Sequence, residues 1–451
     1  MSSNVAAKEA MQSGEYLVAY ELYSEQLAQQ FKDGTGANER ATTLINRAIA
    51  TRRLDQPAIA LYDAQRASLI CTENATRAKA IYHAAFCCFE GSSLEDAQNF
   101  ANLCIRIATE NKWNSIVANM KKLKDSIRNE RNNPENQVYG PGMISFSLKS
   151  LQWDKLSSYK NLESEEVIAR INEQAGIISN GAVEVKVTPN RGRGLFACKN
   201  IRHNAFTEKP VIGCIFKLNK KLYCHQCASN IVPESALKCS NCELLFCDSV
   251  CYRKAMESYH PILCNNEIPP ENSCLASLED STAVSSLWIL AAIKVFAEAK
   301  MKGITPVEVD SMKDLCVANC EEKLYFPKTP VFTNYSQLLK HLDISEEDPQ
   351  FQFWHFMAVQ WRLLSNTFGQ GDITKGAKFL LGGLITYANH RCLVNNANFV
   401  NNTIVAKKRI KPKQEIVISY LPDTEYGPSR NAHLGLYGIQ CSCSLCNKTD
   451  G

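Results

Sequence analysis

Long apolar runs are missing from this chain of 451 residues, and none approaches the roughly 20 residues that a membrane-spanning helix needs. The opening stretch, MSSNVAAKEAMQSGEYL, lacks the apolar core of a secretory signal peptide. An excess of one charge is missing too, because 50 lysines and arginines stand against 46 acidic residues. These absences argue against a membrane partner and against direct nucleic-acid binding. We expect a protein of the cytoplasm and nucleus.

Helix-breaking residues are scarce in residues 5–130, where proline occurs once. Three similar stretches carry Ala19, Ala58 and Ala97 at a constant interval of 39 residues, and a tyrosine follows each of the first two alanines by four. Small residues where helices cross, with a large one a turn later, are typical of stacked helix pairs. The segment resembles tetratricopeptide (TPR) repeats, whose usual period is about 34 residues. A plain helical bundle is the alternative.

The pattern of the chain changes after a polar, proline- and glycine-rich linker, RNERNNPENQVYGPG. From residue 181, GAVEVKVTPNRGRGLFACKNI alternates apolar and polar residues, as a half-buried strand does. A second stretch of this kind lies at residues 398–421. Between the two lie a cysteine cluster and about 100 residues of mostly helical pattern. A β-rich fold in two halves, separated by insertions, is therefore predicted.

Twenty cysteines are many for an intracellular protein, in which disulfides are rare. Seven of them fall between residues 224 and 264, in pairs with two or three residues between partners, and the last pair is His260 with Cys264. Such spacings let two ligands reach one metal ion from a single turn. Eight ligands make two tetrahedral sites with no open position, which is typical of structural zinc.

This spacing resembles the MYND zinc finger. In that family the pairs interleave, and the resemblance implies two ligand sets. The first set is Cys224, Cys227, Cys247 and Cys251, and the second set is Cys239, Cys242, His260 and Cys264.

Four further blocks, in this order, resemble the SET methyltransferase fold: RGRGLFACKNI, NHRCLVNNANF, EIVISY and a terminal CSCSLC. Together with the MYND insertion they resemble the Smyd family, over about residues 180–447, and the helical arm resembles its subset with TPR-like repeats. The fold implied is α+β, with a helical array ahead of a β-rich SET domain. The implied domains are 1–135 TPR-like repeats, 136–180 linker, 181–223 first SET part, 224–264 MYND, 265–375 helical insert, 376–421 second SET part and 422–451 post-SET.

The resemblance implies an S-adenosylmethionine-dependent protein-lysine methyltransferase with a lysine-containing protein substrate. Methyl transfer requires alignment, a cradle of close backbone for the cofactor, and a channel that favours the neutral lysine amine. The implied cofactor-binding residues are Arg191, Gly192, Arg193, Gly194, Asn366, Asn389 and His390. The implied tyrosines of the lysine channel are Tyr420 and Tyr437. A third zinc site is implied at Cys392, Cys441, Cys443 and Cys446.

Several positions depart from the family pattern. Arg391 replaces a small hydroxyl residue beside the cofactor, and Ile439 replaces an aromatic that stacks on adenine. Gly382 aligns with an aromatic of the lysine channel, and Lys413 replaces a turn glycine. Losing a stacking ring costs about 1 kcal/mol, and an unpaired buried arginine costs more unless it points outward. A SET scaffold that acts through peptide partners of the MYND module and the helical arm is therefore the alternative function.

The helical arm also departs from the TPR domains that clamp a chaperone carboxylate with Lys, Asn and Arg side chains. Asn46 and Lys79 fit that clamp, whereas Asn4, Lys8 and His83 stand where the pattern has Lys, Asn and Arg. Charge-assisted contacts are the strong part of such a clamp. We therefore predict that the arm binds another peptide or packs back on the SET domain.

Overall fold

The fold is taken from a computed structural model. The model describes residues 3–133, 142–146, 159–189, 191–216, 218–219, 222–265, 283–317, 324–372, 376–421, 425, 427–435 and 439–447. The prediction of an α+β protein with an N-terminal helical array followed by sheets is confirmed.

Helices occupy most of the first third of the chain and recur in its second half. They are α1 (Ser3–Ser13), α2 (Tyr16–Lys32), α3 (Ala37–Arg53), α4 (Pro57–Ile70), α5 (Asn74–Glu90), α6 (Leu94–Glu110), α7 (Asn114–Asn132), α8 (Tyr159–Leu162), α9 (Glu165–Ser179), α10 (Ser249–Met256), α11 (His260–Leu263), α12 (Ala283–Lys302), α13 (Lys328–His341), α14 (Phe353–Asn366) and α15 (Gly427–Gly435).

Strands are short and begin after the helical array. They are β1 (Met143–Phe146), β2 (Val183–Thr188), β3 (Gly192–Ala197), β4 (Asn204–Thr207), β5 (Ile212–Phe216), β6 (Leu237–Lys238), β7 (Leu245–Phe246), β8 (Leu324–Pro327), β9 (Thr367–Asp372), β10 (Gly376–Leu381), β11 (Asn389–His390), β12 (Ala397–Val400), β13 (Thr403–Ala406) and β14 (Val417–Ile418).

The chain divides into two compact units. Unit 1 contains residues 1–153 and 320–356, and unit 2 contains residues 154–319 and 357–451. We predicted residues 265–375 as one helical insert of the SET part, and the structure divides that stretch, since residues 320–356 belong to the unit of the helical array.

Unit 1 is built on helices α1–α7, each packed mainly against its neighbours in sequence. The alanines at the 39-residue interval, Ala19, Ala58 and Ala97, are all fully buried, as close helix crossings require. Tight turns separate the helices. Asp55 and Ser92 adopt the left-handed conformation in two of these turns, where a residue just past a helix end often does so.

The later part of unit 1 packs on this array. Strands β1 and β8 pair antiparallel, with Ile144 opposite Phe326. Tyr62 of α4 stacks on Phe353 with 4.8 Å between ring centroids, and it meets Tyr335 of α13 edge-on at 5.3 Å. Residues 326–356 of the same unit therefore cover part of α2 and α4.

Unit 2 holds several small sheets, and an apolar core lies beneath part of them. The order of strands is β5-β10-β9 and β12-β13-β4 in the larger sheets, and β2-β3, β6-β7 and β11-β14 in the pairs. Strands β11 and β14 run parallel, with Asn389 opposite Val417 and His390 opposite Ile418. Apolar residues of β2, β3, β13 and α9 form the core beneath them. This packing fixes the ends of β3, β11 and β14 near one another.

Among the described residues, no helix is long and apolar enough to cross a membrane.

Candidate metal centres and the adjoining groove

The predicted cysteine and histidine sets are brought together in space. In each set, one ligand atom per residue lies within 4.8 Å of all the others. The first cysteine group is Cys224, Cys227, Cys247 and Cys251. The cysteine–histidine group is Cys239, Cys242, His260 and Cys264. The terminal cysteine group is Cys392, Cys441, Cys443 and Cys446.

Local structure positions the ligands of the first two groups. Cys247 follows β7 and Cys251 lies in the first turn of α10, whose N-cap Asp248 accepts a hydrogen bond from the Cys251 N–H at 2.9 Å. His260 begins α11 and Cys264 follows its end, so that one short helix supplies both of these ligands. Two-residue strands and short helices are thus sufficient to present the ligands.

The sulfur separations distinguish metal binding from disulfides. The Sγ atoms of Cys227 and Cys247 are 3.8 Å apart, and those of Cys392 and Cys441 are 3.7 Å apart. A disulfide would require about 2.05 Å. A zinc tetrahedron with Zn–S bonds near 2.3 Å has edges of about 3.8 Å. All three groups could therefore hold metal ions and are compatible with zinc.

A cation contacts a ligand sulfur in both all-cysteine groups. Lys209 Nζ donates to Cys247 Sγ at 3.4 Å and also pairs with Asp248. Arg430 Nη2 donates to Cys392 Sγ at 3.5 Å, and Arg430 is fully buried. Four thiolates around a divalent ion leave an excess of two negative charges, which a neighbouring cation offsets. Sequence reasoning missed both residues, because neither belongs to a ligand motif.

The glycine hairpin β2–β3 approaches Asn389 closely. Gly192 has φ +60° at the turn, which favours glycine. A Cβ atom on Gly194 would lie 2.9 Å from Glu415 Oε1 and 3.0 Å from Asn389 Nδ2, so a side chain there would have to displace these two groups. Asn389 Nδ2 donates to Glu415 Oε1 at 2.9 Å, and Arg191 forms an ion pair with the same carboxylate. Arg191 and Gly194 thus lie close to Asn389, although almost 200 residues of sequence separate the hairpin from Asn389.

Arg193, on β3 of this hairpin, has a buried side chain. Its Nη2 donates to the Asp314 carbonyl at 2.7 Å, and its guanidinium lies 5.0 Å from the centre of the Tyr387 ring. Burial raises the pKa of Tyr387 to about 12, although Arg193 opposes the shift. The buried Nη1 of Arg193 has no hydrogen-bond partner among the described residues. That atom could donate to an anionic group of a ligand.

His390 connects the terminal cysteine group to Tyr420. Its Nδ1 accepts the Tyr420 N–H at 3.0 Å, so its Nε2 carries the proton and donates to Cys392 Sγ, also at 3.0 Å. Burial, aided by the charge of Arg430, lowers the pKa of His390 to about 4, which keeps the ring neutral. The Tyr420 hydroxyl donates to the Ala388 carbonyl at 3.0 Å.

Two predicted site residues do not join this arrangement. Asn366 Nδ2 donates to the carbonyls of Cys316 and Arg362, each at 2.7 Å. The first of these bonds connects the end of α14 to Cys316. Tyr437 lies outside the described residues.

A groove of about 340 Å³ opens beside Tyr420. We refer to it as the tyrosine groove. Its lining residues are Phe368, Gly369, Asn395, Asn398, Phe399, Val400, Lys407, Ile418, Ser419, Tyr420 and Leu421. Lys407 Nζ donates to Asn395 Oδ1 at 2.6 Å within this lining. The groove therefore combines an aromatic and aliphatic wall with amide, hydroxyl and ammonium groups.

The structure describes the surroundings of four positions that depart from the Smyd pattern. Arg391 is exposed, so it does not bury a charge. Ile439 packs against the terminal cysteine group. A Cβ atom on Gly382 would lie 1.9 Å from Ile385 Cγ2, which leaves no room for an aromatic there. Lys413 has φ +66°, the conformation that glycine would adopt at lower cost.

The chain matches no known protein-family model, and no curated protein sequence matches it. The geometry of the site is therefore the basis of any functional assignment.

Proposed function

We propose that this protein is an S-adenosylmethionine-dependent protein-lysine N-methyltransferase of the Smyd type that acts in the cytoplasm and nucleus. The observation that carries the proposal is the meeting of Gly194, Asn389 and the parallel β11–β14 pair, from which Tyr420 follows into the tyrosine groove. Residues of three distant sequence blocks converge there.

The residues present fit the cofactor in two respects. Gly194 lies beside the Asn389 amide and the Glu415 carboxylate, and these polar groups are proposed to face the cofactor. Arg193 has a buried Nη1 atom that lacks a partner among the described residues, and the carboxylate of the cofactor would accept a hydrogen bond from it. Arg193, Gly192 to Gly194, Asn389 and His390 would hold it. When bound, S-adenosylmethionine supplies an activated methyl group on a sulfonium.

The acceptor is a lysine side chain in the tyrosine groove. A free lysine has a pKa near 10.4 and must lose a proton before its nitrogen can attack. The Lys407 ammonium in the lining would disfavour a second positive charge in the groove, and with it the ammonium form of the substrate lysine. The Tyr420 hydroxyl donates its proton to the Ala388 carbonyl, and its oxygen is proposed to accept a hydrogen bond from the amine. Tyr420 thus orients the amine, and Tyr437 is expected from the sequence to do the same.

Zinc is the proposed ion at all three metal groups, with three ions per chain. Each group offers four soft or borderline ligands and no open position, which suits a structural role. The ions at the first two groups stabilise a segment whose strands are two residues long. That segment and the helical array are also proposed to bind peptide partners.

A scaffold without activity is the second candidate, and Asn366 favours it. Its amide nitrogen is already engaged by two main-chain carbonyls. Binding of S-adenosylmethionine separates the two candidates, because a pure scaffold has no need of the cofactor.

The test measures cofactor binding and methyl transfer separately. Titration calorimetry should give a dissociation constant in the micromolar range for the wild type, about −8 kcal/mol. Gly194→Val should abolish binding, and Asn389→Ala should weaken it at least tenfold. Labelled cofactor with cell extract should then label a protein band, and Tyr420→Phe should reduce that labelling at least tenfold with binding retained.

Tyr252→Phe is the matched control, because it deletes a tyrosine hydroxyl elsewhere in unit 2, where the ring packs on Phe246. It should behave as wild type. Failure of the folded wild type to bind the cofactor at millimolar concentration would reject the enzyme and favour the scaffold.

A further inference from the structure

Arg430 is the feature of the terminal cysteine group that the proposed chemistry leaves unexplained. It lies on α15 and is fully buried, which is rare for an arginine. Its Nη2 donates to Cys392 Sγ at 3.5 Å and to Ser419 Oγ at 3.2 Å, and its Nη1 donates to the Glu425 carbonyl at 3.1 Å. One side chain therefore bridges a metal ligand and the lining of the tyrosine groove.

A second path joins the same ligand to the same strand end. His390 donates from Nε2 to Cys392 Sγ and accepts the Tyr420 N–H at Nδ1. Ser419 Oγ donates in turn to the Leu421 carbonyl at 2.7 Å. Residues 419–421 all line the groove. The two paths converge on three consecutive residues, and both begin at the sulfur of Cys392.

We propose that Arg430 and His390 are positioning residues that transmit metal occupancy of the terminal cysteine group to the tyrosine groove. An ion bound there holds Cys392 as a thiolate. The thiolate orients the Arg430 guanidinium and the His390 imidazole, and these two hold the main chain of residues 419–421 in place. The role of the tyrosine groove as the site of the acceptor lysine rests on the proposed function. The coupling does not, because it links metal binding at Cys392 to the main chain of residues 419–421.

The first cysteine group provides the matched comparison. Lys209 donates to Cys247 Sγ as Arg430 does to Cys392 Sγ, but Lys209 is exposed and its other partner is Asp248, the N-cap of α10. If each cation only offsets thiolate charge, its replacement should have the same effect on zinc release at both groups. Only a cation that also positions the groove should alter residues 419–421.

The experiment uses the full chain loaded with zinc and has two readouts. Release of zinc to a coloured chelator gives a rate for each class of ion, and hydrogen exchange with mass spectrometry gives the protection of the Tyr420 amide. Arg430→Met should release one ion per chain at least tenfold faster and lower Tyr420 protection at least tenfold. Arg430→Lys should restore part of both effects. Lys209→Met should speed the release of one ion and leave Tyr420 unchanged.

Cys443→Ala removes the ion of the terminal cysteine group directly and keeps Arg430. It therefore tests whether metal binding protects Tyr420 even if Arg430→Met fails to fold. Loss of Tyr420 protection in Cys443→Ala supports the coupling. Unchanged Tyr420 protection without the terminal ion would overturn the proposal, as would zinc release from Arg430→Met at the wild-type rate. Neither readout involves S-adenosylmethionine, so a protein without methyltransferase activity can still show the coupling.

Discussion

The helical array of unit 1 and the proposed metal-binding segment of unit 2 are expected to be stabilised by different means. The array buries alanines and aromatic rings over long helices, and Tyr62, Tyr335 and Phe353 form an aromatic cluster. The segment at residues 222–265 has strands of only two residues and a small core, in which the ligand residues lie among Phe246, Ala255 and Tyr259. Apolar burial suffices where helices are long, whereas a small loop-rich segment is expected to depend on coordination bonds.

Metal removal should separate the two regions most strongly. Structural zinc contributes about 10–16 kcal/mol in zinc-finger peptides, which is comparable to the whole net stability of a folded domain, about 5–15 kcal/mol. We expect an excess of chelator with a reductant to abolish hydrogen-exchange protection there, while helices α2–α7 keep theirs. Zinc analysis before treatment should give three ions per chain. Equal loss of protection in the array would show that the array also depends on metal.

Breaking the buried ion pair of the array should have the next largest effect. Arg47 donates two hydrogen bonds of 2.7 Å to Asp63, and both side chains are buried. Asp63→Ala leaves the arginine charge without its partner, which typically costs about 3–5 kcal/mol. Urea denaturation followed by the circular dichroism of the array measures it.

A double variant refines this result. Arg47→Met with Asp63→Leu removes both charges and should recover most of the lost stability. The exposed pair Arg128 and Asp125 supplies the control, and Asp125→Ala should change stability by less than about 1 kcal/mol. A large effect of the control with a small effect of Asp63→Ala would contradict the buried-pair interpretation.

Acid should weaken unit 1 through Asp96. Burial alone would raise the pKa of Asp96, but hydrogen bonds from Lys328, Ser93 and the Gly142 N–H outweigh it and lower the pKa. The folded pKa lies below the unfolded value of about 3.9, so the stabilisation is present above that pH and is lost as the pH falls through the folded pKa. Melting temperatures from pH 6 to pH 3 should therefore fall more steeply for the wild type than for Asp96→Asn.

Asp125→Asn serves as the exposed control for this pH series and should parallel the wild type. Identical pH profiles for the wild type and Asp96→Asn would exclude Asp96 as the source of the acid dependence.

The smallest expected effect belongs to a turn of unit 2. Lys413 adopts φ +66°, where a side chain costs roughly 1–2 kcal/mol. Lys413→Gly relieves that strain but increases the freedom of the unfolded chain by about 0.4–1 kcal/mol. A net gain of about 0.5 kcal/mol in the unfolding free energy of unit 2 is expected from denaturant titration. A loss of stability would mean that the lysine side chain makes a compensating contact.

Features that depend on neighbouring residues in the chain could be predicted from the sequence. The 39-residue alanine interval predicted a helical array, and the alanines are buried at its helix crossings. The ligand pairs could also be predicted, because two closely spaced cysteines or a cysteine and a histidine can reach one metal ion from a single turn. The grouping of those pairs into sets, and the joining of Cys392 to the terminal cysteines, were implied only by the resemblance to the MYND and SET families.

The tertiary structure alone decided how distant segments associate. Residues 320–356 join the helical array, since the aromatic surface of α4 accepts Phe332, Tyr335 and Phe353. Asn366 turns its amide toward main-chain carbonyls, and Arg391 points to solvent. Arg430 contacts Cys392 because of the tertiary packing of α15, which the sequence alone does not indicate. Each of these contacts depends on the surface or polar group that a segment distant in sequence presents. The residues next to the contact in the chain therefore do not predict it.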